Sequence, residues 1–385
     1  MNPVQAPTPS VVAQRTITLT LDGRKVTVPE GMTIWQAARE AGIEIPVLCH
    51  VPRLRPVGVC RMCVVDVGER VLAASCVRAA ADGMTVQTRS EKVERCRQTL
   101  TELLLADYPR ESLRETTTGD DLLLALARRY GVRPELLTIP RGDGRPQDLS
   151  SPVIAVDHAA CILCDRCIRA CNEIQHNDVI GRTGKGYTAR IAFDLDNPMG
   201  KSTCVSCGEC ASVCPTGALT HKPLTAPIRP RAELKSVDSV CPYCGVGCTV
   251  TLHVDPAKNA VVLVDGRPSP GSESRLCVKG RYGFDYAVHP QRLTTPLIRR
   301  PEFYPKGPLS SDVKGEGGRR KPGGLVDYAE VLPAFREATW DEALDLVASR
   351  LKTIKEAHGP RALAGFGSAK CSNEEAYVFQ KLVRA

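Results

Sequence analysis

A chain of 385 residues with 43% hydrophobic residues has room for about two to four globular domains. Its formal charge of +8 comes from 51 Lys and Arg against 43 Asp and Glu. The basic residues are scattered and not interleaved with aromatics, which argues against a nucleic-acid surface. No run approaches the roughly eighteen apolar residues of a membrane helix, so no direct membrane span is expected. Residues 1–14 lack both an apolar h-region and a twin-arginine pair, so the expected location is cytoplasmic.

Aromatics are scarce at 4%, while 29 Pro and 31 Gly are spread along the chain. That composition suits small, loop-rich modules held by something other than a large apolar core. Eighteen cysteines, many in Cys-x2-Cys repeats without a secretory leader, read as metal thiolates in a reducing compartment.

In chain order, residues 16–21 alternate apolar and polar, Asp22-Gly23 is a tight-turn pair and residues 25–28 alternate again, which predicts a β-hairpin. Thr33 can cap a helix carrying Ile34, Ala37, Ala38 and Ala41 on one face, with Gly42 at its end. Short β-like runs at 64–67, 71–74 and 84–88 would complete a small mixed sheet. Residues 91–107 predict a helix whose apolar face holds Val93, Cys96, Leu100, Leu103 and Leu104, with Cys96 a small buried hydrophobe. A second helix is expected over 120–130, and a linker over 134–152. Residues 302–321 read as a solvated loop. A capping box at Thr339 and Glu342 then opens a helix with the stripe Trp340, Leu344, Val347, Leu351 and Ile354. Residues 362–366 read as a buried strand, and another helix starts at Ser372 or Asn373.

Sixteen cysteines form four sets. Cys49, Cys60, Cys63 and Cys76 are spaced Cys-x10-Cys-x2-Cys-x12-Cys and suit two irons bridged by two sulfides. Four thiols would also suit tetrahedral zinc, the lesser alternative. Cys161, Cys164, Cys167, Cys171 and Cys204, Cys207, Cys210, Cys214 each follow Cys-x2-Cys-x2-Cys-x3-Cys, the bacterial ferredoxin run whose fourth cysteine serves the other cluster. One cluster is therefore expected on Cys161, Cys164, Cys167 and Cys214, its neighbour on Cys204, Cys207, Cys210 and Cys171. Pro215 closes the second unit, where the first has Asn172. Cys241, Cys244, Cys248 and, 28 residues on, Cys277 make the fourth set, with glycines that permit tight turns around one centre.

The first set, with its preceding β-β-α order, resembles the [2Fe-2S] domain of the large iron–sulfur subunit of respiratory complex I and of several hydrogenases and formate dehydrogenases. The string Cys241-Pro-Tyr-Cys-Gly-Val-Gly-Cys248 with Cys277-Val-Lys279-Gly280 resembles the N-terminal motif of molybdopterin oxidoreductases, and residues 281–300 and 367–377 resemble formate dehydrogenases. The resemblance implies an α+β multidomain chain. A disordered tail (1–14) precedes a β-grasp [2Fe-2S] ferredoxin domain (15–88) and a helical linker segment (89–150). Then come a 2[4Fe-4S] ferredoxin domain (151–224), a [4Fe-4S] molybdopterin-oxidoreductase domain (225–300), and a loop with the start of an α/β pterin domain (301–385).

It also implies one [2Fe-2S] and three [4Fe-4S] clusters, Lys279 as a cofactor-binding electron relay between cluster and pterin, and molybdenum or tungsten bis-pterin guanine dinucleotide in the complete enzyme. The implied activity is oxidation of formate to CO2, with electrons leaving for a flavin/iron–sulfur NAD-reducing subunit or another redox partner. The competing expectation is a non-catalytic electron-transfer subunit similar to the large iron–sulfur subunit of NADH-quinone oxidoreductase. Relatives often carry a His-x3-Cys-x2-Cys-x5-Cys cluster near residues 107–109. Here Tyr108 stands at the histidine position and residues 110–120 hold no cysteine, so that cluster is expected to be lost. Cys371 is expected to be a packed thiol, and the sequence reads as stopping before the metal-ligating catalytic residue.

Overall fold

The computed structural model describes residues 15–133, 146–303 and 331–384. These fall into two compact units, residues 1–241 with 246–284, and residues 242–245 with 285–385, each described separately below. The tail, most of the predicted linker and most of the loop after residue 301 lie outside the described residues.

The first unit opens with the expected hairpin, Thr16–Leu21 paired antiparallel with Arg24–Pro29. Ile17, Leu19 and Leu21 turn inward and pack on Ile34, Ala37 and Ala38 of the helix Ile34–Glu40. Each fully buried aliphatic side chain contributes roughly 1.5–3 kcal/mol. Thr33 and Gln36 close a reciprocal capping box at the helix start. Thr85–Val86 adds a parallel third strand beside Thr16–Leu21. Val64–Val65 and Ala73–Ala74 make a separate antiparallel pair, tied to the third-strand region through the Asp66–Gln87 bridge. The small mixed sheet thus exists, with fewer strands than the sequence suggested.

The helix Glu91–Leu105 buries Val93, Arg97, Thr101 and Leu105, whereas Leu103 is 64% exposed and Cys96 only half-buried. This corrects the predicted face. The Arg97 side chain takes the inward position because Val64 O accepts from Nη2 at 2.7 Å and Glu94 accepts from Nη1 at 3.1 Å. A hydrophobicity pattern cannot register an inward arginine whose two terminal nitrogens are both hydrogen-bonded. Asp121 caps the next helix, Leu122–Arg129. Leu105, Tyr108, Leu123 and Leu126 share one core with Ile154, Val156, Phe193 and Leu219, so the helical segment and the following cysteine module fold as one body.

That module pairs Ile154–Asp157 antiparallel with Leu219–His221 and adds the hairpin Ile180–Thr183/Arg190–Phe193. Short helices, Arg166–Arg169 running into Ala170–Ile174, and Glu209–Val213, carry Cys167, Cys171 and Cys210. The unit closes with the antiparallel sheet Lys235–Val240, Thr249–Asp255, Ala260–Gly266 and the helix Val278–Tyr282.

In the second unit Leu297–Arg299 pairs with Phe335–Glu337, and Thr339 caps the helix Trp340–His358 as expected. Residues 362–366 do not form the predicted buried strand. No strand pairs with them among the described residues, and Phe366 is 95% exposed. Phe379 and Val383 of the helix Asn373–Arg384 pack against Gly365 instead. The mixed α and β content, in several small sheets, is that of an α+β multidomain chain. No helix among the described residues is long and apolar enough to cross a membrane.

Candidate metal centres

The first cysteine set is built on loops around the small sheets. Cys49, Cys63 and Cys76 are buried and Cys60 is half-buried. Cys60 Sγ accepts from Cys49 N at 3.3 Å. The four thiols neighbour one another, Cys60 beside Cys49, Cys49 beside Cys76, and Cys76 beside Cys63. These contacts pull the Cys49 and Cys63 thiols down and push the Cys60 and Cys76 thiols up.

In the ferredoxin-like module the two cysteine runs are brought together. Cys161, Cys164, Cys167 and Cys214 line one cavity, closed by Ile191, Thr216 and Leu219. Burial pushes the Cys164 thiol up to about 12, aided by Cys214. Cys210 is raised by burial and by its neighbours Cys207, Cys204 and Cys171. A cavity ringed by buried thiols is costly to charge when empty, and a cationic iron–sulfur core supplies the missing compensation. The donor set therefore fits such a group. Among the described residues no three side chains converge on a single-ion site; the Cys161 set surrounds a volume instead.

Both Cys-x2-Cys loops use one backbone solution. Leu163 and Asp165 in the first, and Ser206 and Gly208 in the second, have positive φ. At 165 the aspartate tolerates this conformation and its carboxylate holds Arg182 at 2.7 Å. At 208 only glycine fits, because a Cβ would run into Arg281 Cδ and Tyr282 Oη.

Of the fourth set, Cys241, Cys248 and Cys277 belong to the first unit, and Cys244 to the 242–245 segment grouped with the second. Cys241 N donates to Cys248 O at 2.8 Å, and the helix after Cys277 passes close to Cys241 Sγ at Gly280. Cys277 and Lys279 are exposed. Cys371 is half-buried in the second unit, its thiol donating to Ser368 O at 2.9 Å.

Tyr108, at the position where a histidine ligand would stand, is buried. Its hydroxyl donates to Asp121 at 2.5 Å and accepts from Gly217 N at 3.0 Å, while Ser112 Oγ donates to the same carboxylate at 2.6 Å. A closed polar network fills this place.

Charged residues inside the cysteine motifs, which sequence reasoning passed over, connect the sets. Arg169 donates to Cys49 O at 2.5 Å, to Cys164 O at 3.2 Å and to Arg55 O. Arg166 reaches Val47 O at 3.2 Å and Val213 O at 3.3 Å. On the other side Arg281, four residues past Cys277, donates to Cys207 O at 2.8 Å and to Glu209 at 2.5 Å. The available signal was their position: arginine and glutamate rarely sit buried unless paired.

Four segments match known domain families. Residues 14–91 match the 2Fe-2S iron-sulfur cluster binding domain, and 151–220 the ferredoxin-like domain of NADH-quinone oxidoreductase subunit 3. Residues 234–289 match the molybdopterin oxidoreductase Fe4S4 domain, and 292–385 molybdopterin oxidoreductase. The chain is 33% identical over 378 residues to the NADPH-Fe(3+) oxidoreductase subunit alpha of Geobacter sulfurreducens, covering 96% of this chain and 39% of that protein. It is 33% identical over 371 residues to an NADH-quinone oxidoreductase component of Rhizobium meliloti, again 96% and 39%. A provisionally named formate dehydrogenase of Staphylococcus aureus is 27% identical over 410 residues, 96% of this chain and 38% of that one. The chain thus spans about two fifths of the length of these relatives.

Proposed function

We propose that this chain carries the iron–sulfur electron-transfer domains of a molybdopterin-family oxidoreductase and that they work as an ordered wire with direction, a reading supported by its four domain matches. The observation that carries the reading is the pair of arginine bridges. Arg169 joins the Cys49 segment to the Cys164 segment, and Arg281 joins the Cys207 segment to the stretch after Cys277. In this reading Cys49, Cys60, Cys63 and Cys76 hold a [2Fe-2S] cluster, and the crossed ferredoxin sets and the Cys241 set hold three [4Fe-4S] clusters. The cluster on Cys161, Cys164, Cys167 and Cys214 lies next to the [2Fe-2S] module. The cluster on Cys204, Cys207, Cys210 and Cys171 lies next to the Cys241 set.

The protein's own residues orient the thiols, bury nine of the sixteen, and hold the sets in sequence. When bound, the clusters supply one-electron storage. The substrate we infer is formate, oxidised at a molybdenum or tungsten pterin site in the full-length product, with Lys279 between the Cys241 cluster and the pterin. Electrons would leave through the [2Fe-2S] module to a flavin/iron–sulfur NAD-reducing subunit or another redox partner in the cytoplasm. A second reading, electron transfer for a pyridine-nucleotide oxidoreductase without formate chemistry, is favoured by the higher identity to the two relatives of that kind.

Anaerobic expression of the full-length gene product separates them. The wire requires about fourteen irons on these residues. Formate-dependent dye reduction with molybdenum or tungsten present supports the first substrate reading; NAD(P)H-dependent reduction without formate activity supports the second. A colourless, zinc-filled protein would overturn the wire itself.

A further inference from the structure

Glu209 lies between Cys207 and Cys210, and its side chain is completely buried. One oxygen accepts from Arg281 Nη2 at 2.5 Å and from Leu276 N at 3.3 Å; the other accepts from Arg53 Nη2 at 3.0 Å. Arg53 follows Cys49 by four residues and also reaches Ser274 O at 3.5 Å. Leu276 immediately precedes Cys277. Segments from three of the four cysteine sets therefore converge on one carboxylate.

A buried carboxylate is retained at such a point only if its charge is compensated, and removing it strands its partners. Here the partners are two guanidinium groups, of which Arg281 is itself 2% exposed. Arg281 also donates to the carbonyl of Cys207, so the ion pair bears directly on a thiol-bearing loop. In a low-dielectric interior an unbalanced charge at this distance acts on any redox group with little screening.

We propose that Glu209 is a positioning residue that locks these three segments together and, by balancing Arg281 and Arg53, sets the reduction potential of the cluster on Cys171, Cys204, Cys207 and Cys210. This rests on the ligand reading given above. On reduction that cluster gains one electron from its neighbour, or from dithionite in the test, and no bond forms or breaks. Negative charge beside it disfavours the electron; the two arginines favour it.

The test is an EPR-monitored dithionite titration of the full-length protein, with iron counted on each sample. Glu209→Gln keeps the shape, strands the cations, and should raise the midpoint of one [4Fe-4S] signal while leaving the [2Fe-2S] midpoint in place. Glu209→Asp, which keeps the charge, should return that midpoint toward the wild-type value. Arg53 is the solvent-side partner, so Arg53→Gln removes one cation without disturbing the Arg281 pair, and should shift the same midpoint downward. Unmoved midpoints in Glu209→Gln and Arg53→Gln, at wild-type iron content, would overturn the proposal, since a purely structural role changes occupancy without changing potential. A wild-type protein lacking [4Fe-4S] signals would instead overturn the ligand reading on which the proposal stands.

Discussion

Arg169 and Cys49 lie 120 residues apart in sequence, yet the guanidinium donates to the Cys49 carbonyl at 2.5 Å. The same guanidinium holds Cys164 O and Arg55 O, adding a charged fastener to two cysteine modules that already share core residues, Leu48 and Met62 packing with Ile154 and Phe193.

Arg169→Met should therefore destabilise the first unit by about 2–4 kcal/mol, because three carbonyls lose a charged donor in a dry interface. Arg169→Lys should recover only part, since an ammonium cannot span the three acceptors as a planar fork does. Denaturant unfolding followed by cluster absorbance measures both. A Met variant within about 0.5 kcal/mol of wild type would remove Arg169 as a fastener.

Tyr108→Phe removes the hydroxyl that serves Asp121 and Gly217 together. The expected loss is roughly 1–3 kcal/mol, the range for stranding buried polar partners. Iron content should not change, because a polar network and not a metal ligand is deleted. Iron analysis that fell in this variant would reopen the question of a fifth cluster.

Gly208→Ala combines a positive φ with a collision against Arg281 and Tyr282. The backbone cost alone is about 1 kcal/mol, and the displaced Arg281 adds the loss of its Glu209 pair. Reconstitution should yield about four irons fewer, on the stoichiometry of one [4Fe-4S] cluster. Full iron loading would show that Arg281 can move at little cost.

His221 is buried beside Tyr282, whose hydroxyl meets its Nδ1 at 2.8 Å. Burial, with Arg281 second, pushes the imidazole down from 6.5 to about 3. The folded chain thus refuses a proton that the unfolded chain accepts below pH 6.5. Stability is unaffected above that pH and falls as pH drops from 6.5 toward 3, by up to about 1.4 kcal/mol per unit. His50 and His158, also pushed down by burial, act in the same direction. Comparing urea midpoints at pH 7.5 and 5.5, His221→Gln should lose less stability on acidification than wild type. Equal losses would mean that His221 is protonated in the fold.

Legible in the residues is whatever depends on short spacing. Thiol ligands to one cluster recur at fixed intervals because the loop between them must turn back on a small inorganic core, and capping side chains act within one helical turn. The Cys-x2-Cys spacings, the opening hairpin and the caps at Thr33 and Thr339 are all of this kind. The inward face of Glu91–Leu105 escapes a hydrophobic pattern because its decisive residue, Arg97, is charged and is satisfied by Val64 from 33 residues away. Residues 362–366 look like a buried strand only locally, because such a strand is defined by neighbours that a local pattern does not contain. The order of the sets in space belongs to the tertiary structure alone. It depends on Arg169 meeting Cys49, and on Arg281 meeting Glu209 across 72 residues, long-range charged contacts that carry no period and follow only from how the modules pack.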